Sequence, residues 1–407
     1  MNRILIIGAG DFQLPLVQKA SEQYEVLLAA PVISDAFLPY ISGKFITDVR
    51  DKEAILAYAR TMDICGVTTD QTDIAVRSVA YVAEQLGLPG IGYETGCLFT
   101  DKSLMRQKMA ELGIPLLPNR TVFSPEEALS FYGEIGGDVI IKPLDTQGSR
   151  GVQVCRSAAE LRDKYAEASR WSSNGAVIVE RFATGREFVV EGLAVDYEFR
   201  NLCIGDTLYF DLPDAFAAKS RIFPTTADEA LAQRVLDLNT RICTGFGLRQ
   251  GITHSEFIMD GGEIYLIETA ARGGGVFISS DLISLSTGLQ TEQFLLDIAT
   301  GRQKGLPKIL PQQCVCGYMA FYIPVGEVVR VSGVEEVQSL PYVHRNQMEK
   351  LRAGIRNEEG HTDKTSRIAL IVSAPDRDTL NERMAHIRSV LQADVKTADG
   401  IAPLIWE

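Results

Sequence analysis

Residues 251–275 restrict what this chain can fold into more than any other stretch. They read Gly251-Ile252-Thr253-His254-Ser255-Glu256-Phe257-Ile258-Met259, then Asp260-Gly261-Gly262, then Glu263-Ile264-Tyr265-Leu266-Ile267-Glu268, with a tail of Thr269-Ala270-Ala271-Arg272-Gly273-Gly274-Gly275. Asp-Gly between two β-forming runs is a strong hairpin signal. Alternation along a strand puts His254, Glu256 and Ile258 on one face, and Ile264, Leu266 and Glu268 on one face of the partner strand. If the two faces coincide, two carboxylates stand side by side near a histidine and an arginine, and like charges that close repel. A divalent cation between them removes the conflict, and hard Mg2+ prefers carboxylate and phosphate oxygens. A solvated edge hairpin with scattered charges is the plainer alternative, but three glycines directly after Arg272 are unusual for it.

At 407 residues the chain is too long for one ordinary core, so two or three domains are expected. A hydrophobic fraction of 46% with 23% charged residues fits a soluble globular protein, and no apolar run is long enough to span a bilayer. The amino-terminal apolar run is short and flows into Gly8-Ala9-Gly10, unlike a signal peptide, so a cytoplasmic location is expected. The seven cysteines contain no CxxC pair, which favours packed thiols over a zinc site; Cys314 and Cys316 read as strand residues. A net charge of −13 speaks against nucleic-acid or anionic-membrane partners. Any phosphate site must then be a local arrangement of lysines, arginines and backbone amides.

Residues 1–97 alternate strands with helices: a strand at 3–7, a helix over 11–21, a strand at 24–29, a helix at 54–62, a strand at 64–68 and a helix over 72–86. This pattern implies a parallel sheet covered by helices. Gly8-Ala9-Gly10 suggests a dinucleotide fold only weakly, because Leu14-Pro15 stands where a third glycine is wanted and no ribose-binding acid ends the second strand. Thr100 is the expected N-cap of a helix whose apolar stripe is Leu104, Met105, Met109 and Leu112. Lys102 sits in its first turn, where the helix dipole slightly disfavours a cation, hinting at an anion nearby. A strand over 138–143 ends at Lys142. The loop Thr146-Gln147-Gly148-Ser149-Arg150-Gly151 follows, with glycines and a serine able to fold amides over phosphate but without Walker spacing. The strand over 176–182 carries Glu180 and Phe182, and Gly185-Arg186-Glu187 turns into another strand. A helix spans 227–245 and a second one 281–300. Beyond about 301 the composition shifts to a linker-like stretch, then a small α+β unit with strands at 315–324, 326–332, 366–372 and 395–398 and a helix at 376–391.

Taken in order, these residues resemble the ATP-grasp superfamily, over about residues 100–300. The matching elements are Lys102, Ile141-Lys142-Pro143 with its Gly-Ser-Arg-Gly loop, Val179-Glu180-Arg181-Phe182, Gly185-Arg186-Glu187, and Glu256 with Glu268 and Arg272. Within the superfamily, His254-Ser255-Glu256 and Ile267-Glu268-Thr269-Ala270-Ala271-Arg272 look most like the L-amino acid ligases. The resemblance implies an α/β and α+β chain in three parts. Residues 1–97 would be a parallel α/β pre-ATP-grasp domain. Residues 98–300 would be the two-lobed ATP-grasp core, with its small lobe at about 113–182, and residues 301–407 the carboxyl-terminal α+β subdomain. It implies that Lys102 and Lys142 bind ATP phosphates, that Gly148 and Ser149 cover them, and that Glu180 and Phe182 meet the adenine amino edge through backbone groups. Glu187 would accept the ribose hydroxyls, Glu256 and Glu268 would hold Mg2+ (with Mn2+ as a substitute), and Arg272 would steady the transferring phosphoryl group. Much of the superfamily has asparagine two residues after the second acid. Ala270 stands there in this chain, which puts a second, fully ligated metal in doubt, although the ligase subgroup shares the alanine.

The implied activity is an ATP-dependent carboxylate–amine ligase working through an acyl phosphate, with amino acids as the expected substrates. His254 would contact phosphate or accept a proton from the attacking amine; a structural histidine beside phosphate is the plainer reading. Two other functions fit the same parts: an ATP-grasp enzyme of purine or carboxyphosphate chemistry, and a non-catalytic ATP-binding module, which the retained lysines, acids and Arg272 oppose. Lys219, Arg221 and residues 273–275 are candidates for holding a substrate carboxylate. A homodimer is the ordinary expectation for such a chain.

Overall fold

The computed structural model describes residues 2–146, 148, 150–212, 216–358 and 367–407. Its first sheet is parallel, ordered Gly43–Ile46, Glu25–Ala30, Arg3–Ile7 and Ile64–Thr68. The strands are apolar on both faces because both faces are covered. Ile4 and Ile6 pack with Leu16, Val17, Phe294 and Leu296 on one side. Leu5 and Ile7 pack with Ile55, Leu56 and Val82 on the other. The helix Thr291–Ala299 therefore belongs to the wall of this first sheet although it follows the hairpin in sequence.

A second sheet of four antiparallel strands runs Asn119–Val122, Val177–Arg181, Val139–Pro143 and Gln153–Cys155. Val139, Ile141, Val177 and Val179 bury one face under the helices Pro125–Ile135 and Ala158–Arg170. Alternation leaves Ile140 and Lys142 on the opposite face, which looks into a cleft.

The largest sheet has eight strands, ordered Glu263–Ala270, Gly251–Asp260, Arg186–Val195, Glu198–Tyr209, Ala218–Phe223, Val315–Tyr322, Arg367–Ala374 and Val343–Asn346. Phe188, Val190, Phe257 and Leu266 pack beneath the helix Glu229–Gly245. The other face carries Glu187, Glu191, His254 and Glu256 toward the cleft. Three of the strands come from the segment after residue 300, so that segment extends the sheet; its remaining strands form a separate four-stranded sheet beside the helix Arg377–Val390. Among the described residues, no helix is long and apolar enough to cross a membrane.

The hairpin departs from simple alternation. Asp260 pairs with Glu263 across a two-residue turn, and both Gly261 and Gly262 have positive φ, as a type I′ turn requires. Glu256 pairs directly with Glu268, but Phe257 pairs with Leu266, so Ile267 is an extra residue and forms a bulge. The expected common face of Ile264, Leu266 and Glu268 is thus corrected: Ile264 and Leu266 join Phe257 in the core, and the bulge turns Glu268 to the side of Glu256. Three smaller expectations also change. Asp101, not Thr100, caps the helix Lys102–Glu111, its carboxylate accepting from Ser103 and Leu104 N–H groups. The helix expected from residue 72 begins at Val76. The helix expected over 281–300 is interrupted at Gly288, whose φ of 73° ends one segment before Thr291–Ala299 begins.

Candidate active site

A cleft of about 880 Å3 lies between the small sheet, the face of the large sheet, and loops of the amino-terminal unit. Lys102, Lys142, Gly148, Phe182, Glu187, His254, Glu256, Glu268 and Arg272 all line it. Ser149, expected beside Gly148, lies outside the described residues.

At the end formed by the small sheet, the charges are held by the walls. Lys102, at the first position of its helix, reaches Glu268 at 2.9 Å and the Thr146 carbonyl at 3.2 Å. Lys142 donates to Glu180 at 2.6 Å. Glu180 is fully buried and also accepts from Arg106 Nε at 2.7 Å. Burial alone would raise the Glu180 carboxyl, but the Arg106 and Lys142 charges overrule it and hold it at about 2. The Glu180 carboxylate therefore sits inside the wall, behind Lys142. The Phe182 ring borders the cleft and its N–H donates to the Asp138 carbonyl. Arg106 also donates to the Ile267 carbonyl at 2.7 Å, tying its helix to the bulge of the hairpin.

Glu187 is the contrasting case. Burial pushes its carboxyl up to about 7; the Tyr209 hydroxyl, donating at 2.6 Å, pulls it back, and the nearby Glu256 charge adds to the rise.

Glu256 and Glu268 stand directly opposite each other on adjacent strands. Here cations balance them: Arg221 donates to Glu256, and Lys102 faces Glu268. Among the described residues, no group of three or more His, Cys, Asp or Glu side chains is arranged to hold a metal. Two adjacent carboxylates nonetheless fit Mg2+, which takes one or two protein carboxylates and completes its shell with phosphate oxygens and water. Ala270 stands opposite His254 in the hairpin and contributes no donor.

His254 Nδ1 meets Glu191, and Nε2 lies 2.8 Å from Arg221 Nη1. Nε2 also lies 3.1 Å from Glu256 Oε1. Toward Arg221 it can only accept and toward Glu256 only donate; the shorter Arg221 contact favours the neutral ring with its proton on Nδ1, facing Glu191. Burial opposes a charged ring, but Glu191 and Glu256 raise its affinity for a second proton. That proton would have to displace the Arg221 contact.

The far side of the site is a loop clamped by the amino-terminal unit. Arg272 forms two bonds to Asp73, at 2.7 and 2.9 Å. Gly273 N–H donates to Asp70, Gly274 N–H to Glu191, and Phe277 N–H to the Gln71 side chain. Burial lifts the Asp70 carboxyl to about 6 against that Gly273 bond. Gln71, Val276 and Phe277 all have positive φ, which costs about 1–3 kcal/mol for each non-glycine residue and persists only where surroundings enforce it.

In the sequence Glu191 reads as an ordinary edge charge, and Arg106, Asp70, Gln71 and Asp73 are not singled out. Two signals could have found four of them. Glu191 is a lone acid inside an apolar strand, where charged residues are rarely left buried. Asp70, Gln71 and Asp73 follow the carboxyl end of a parallel strand, the edge where open α/β sheets bind ligands. Arg106 had no such signal on an otherwise charged helix.

Comparison with known proteins is consistent with this geometry. Residues 135–281 match the ATP-grasp domain family. The alanine–anticapsin ligase of Bacillus subtilis (strain 168) is 26% identical over 286 residues, 64% of this chain and 59% of that protein. An L-arginine-specific L-amino acid ligase from Bacillus subtilis is 23% identical over 363 residues, 84% of this chain and 87% of that one. This chain spans about half to three fifths of the length of the first curated relatives it matches. The crystal structure of an L-amino acid ligase from Bacillus licheniformis superimposes with a TM-score of 0.81 at 20% identity, covering 98% of this chain and 99% of that one, and establishes the fold.

Proposed function

From the premise that an ATP-grasp domain spans residues 135–281, we propose that this chain is an ATP-dependent carboxylate–amine ligase acting on amino acids through an acyl phosphate. The observation that carries the reading is the register of Glu256 with Glu268, facing Lys102, with Arg272 presented across the cleft. We assign residues 1–97 and 301–407 to flanking units around a core of 98–300.

A carboxylate is a poor electrophile, because its leaving group would be oxide. Attack of a carboxylate oxygen on the γ-phosphorus of ATP forms the acyl phosphate and releases ADP. An amine then attacks the acyl carbon, and phosphate leaves. Such transfer needs positioning and charge neutralisation more than a protein nucleophile. Lys102 and Lys142 supply positive charge at the phosphates, with Lys142 held in place by Glu180. Glu187 accepts the ribose hydroxyls when ionised. Glu256 and Glu268 would hold Mg2+, which when bound neutralises charge on the phosphate oxygens. Arg272, fixed by Asp73, faces the equatorial oxygens. His254 Nε2 can accept the amine proton once its Arg221 contact is released, while Glu191 holds the ring from behind.

Purified chain incubated with ATP, Mg2+ and pooled amino acids should release phosphate only when amino acids are present, with new masses equal to condensed pairs. ATP binding without amino-acid-dependent phosphate release would sink the proposal.

A further inference from the structure

The helix Ile283–Thr287 closes at Gly288, and its last carbonyls need donors from outside the helix. The stretch leading into the strand Val315–Tyr322 supplies them. Leu310 N–H donates to the Thr287 carbonyl at 2.9 Å and Gln313 N–H to the Ser286 carbonyl at 3.4 Å. The Cys314 thiol donates to the Leu285 carbonyl at 3.5 Å. Cys316 touches the same turn: its sulfur lies 3.8 Å from the Leu282 carbonyl and 3.2 Å from the Ser286 hydroxyl. Two thiols from the start of one strand therefore meet one turn of helix. That turn continues the Arg272 loop without a break. Ser279 N–H donates to the Gly274 carbonyl at 3.0 Å, a π-helical turn spans Ile278–Leu282, and Cys316 packs in one cluster with Val276 and Phe277.

The two thiols are unlike. Cys316 is fully buried, whereas Cys314 is half-buried. Hydrogen bonding from Cys316 holds the Cys314 thiol below the ordinary thiol range, against the effect of burial. The same contact, together with burial, pushes Cys316 well up. A reachable thiolate beside a buried thiol suits disulfide exchange, in which the first attacks and the second resolves. Two residues along a strand span about 6.6 Å, within the reach of a disulfide. Neither thiol borders the cleft, so the ligase chemistry leaves both unused.

We infer that Cys314 and Cys316 form a thiol–disulfide exchange site that acts on the helix end behind the Arg272 loop, with small-molecule disulfides as its oxidants. First, the Cys314 thiolate attacks one sulfur of the oxidant; the oxidant's disulfide breaks, and the departing thiolate takes a proton from water. The Cys316 sulfur then attacks Cys314, the mixed disulfide breaks, and the second departing thiolate takes the Cys316 proton. The chain loses two electrons and two protons, and the oxidant becomes two thiols. Neither protein sulfur then carries a hydrogen, so the Leu282 and Leu285 carbonyls lose their donors and the helix end loosens. The exchange requires no ligase activity.

The test incubates the full, freshly reduced chain with oxidised glutathione at neutral pH, traps free thiols with iodoacetamide and maps the products by mass. Trypsin places both cysteines in one peptide, residues 309–330. That peptide should be lighter by two hydrogens and take no iodoacetamide. Cys65 is also half-buried, but burial pushes its thiol up, so it should react more slowly. Cys316→Ser should halt the reaction with glutathione held on Cys314, and Cys314→Ser should leave Cys316 unreacted. In the oxidised wild-type chain the amides of residues 283–288 should exchange hydrogen about fivefold faster, and dithiothreitol should reverse the change. An unbridged peptide in the wild-type chain, glutathione on Cys65 ahead of Cys314, or a bridge from Cys316 to Cys203, its neighbour in the same cluster, overturns the inference. A bridge that leaves hydrogen exchange unchanged overturns its action on the helix end.

Discussion

At the end of the cleft proposed to hold the nucleotide, charged side chains project from strands and from the first turn of a capped helix, so backbone hydrogen bonds fix where they stand. Glu256 meets Glu268 because the two are cross-strand partners, and Lys142 meets Glu180 because their strands are adjacent. At the loop end, Arg272 and the amides after it are held by Asp70, Gln71 and Asp73, some two hundred residues earlier in the chain. One end is organised by register; the other is organised by side chains reaching across from a different sheet. Within the strand-built end, burial acts differently on two acids. Glu180 is held ionised by Arg106 and Lys142, whereas Glu187, with a hydroxyl for a partner, is pushed toward the neutral form. Burial alone decides neither case; the countercharge does.

The comparison predicts unequal responses to mutation. Removing a charge from the register-fixed pair should be most severe. Glu268→Gln should lower kcat by about 1,000-fold or more, as expected for loss of charge stabilisation at the transferring phosphoryl group, with a melting temperature close to that of the parent. Near-normal turnover would remove Glu268 from the metal role. Arg106→Met strikes the same wall behind the cleft. It leaves Glu180 buried with one countercharge instead of two, so urea denaturation should show about 3–5 kcal/mol of lost stability. A loss under about 1 kcal/mol would mean the wall does not depend on that pair.

The loop end should respond more gently. Asp73→Asn keeps a hydrogen-bond acceptor but removes the charge opposite Arg272. A loss of about tenfold in kcat is expected, in keeping with the cost of one charge-assisted hydrogen bond, with ATP affinity unchanged and Asp73→Glu restoring much of the rate. Weakened ATP binding in Asp73→Asn would show that the two ends are not separable.

The smallest effect should be the pH response of Glu187. Its carboxyl is raised from the ordinary 4.5 to about 7. The fold therefore favours the neutral form: its stabilising contribution is complete below about 4.5 and is lost as pH rises through about 7. Ribose hydroxyls need the ionised acceptor, so ADP affinity should rise as pH goes from 6 to 8, by up to about tenfold for one group titrating near 7. Glu187→Gln should flatten the part of the profile due to this group. A profile identical to the parent would show that Glu187 does not meet the ribose.

The strand end was largely legible in the sequence because period-two alternation and an Asp-Gly turn are local signals. Alternation does not reveal an added residue, however, and the bulge at Ile267 is what brings Glu268 to Glu256's side. For Asp70, Gln71 and Asp73 the sequence offered only their place after the carboxyl end of a parallel strand. Which partners they hold is set by contact with the loop after Arg272, and nothing within their own segment specifies that. The helix over 281–300 failed for a similar reason: its apolar spacing runs on, but Gly288 ends a segment in a left-handed conformation and the chain turns back to pack on the first sheet.

The acyl phosphate is the central claim, and isotope transfer tests it most directly. Once an amino acid is found that supports turnover, its carboxylate is labelled with 18O and the released phosphate is analysed by mass. The account predicts one 18O atom carried into phosphate for each amide formed, with ADP unlabelled. Amide formation with unlabelled phosphate, or with label in the nucleotide, would contradict it.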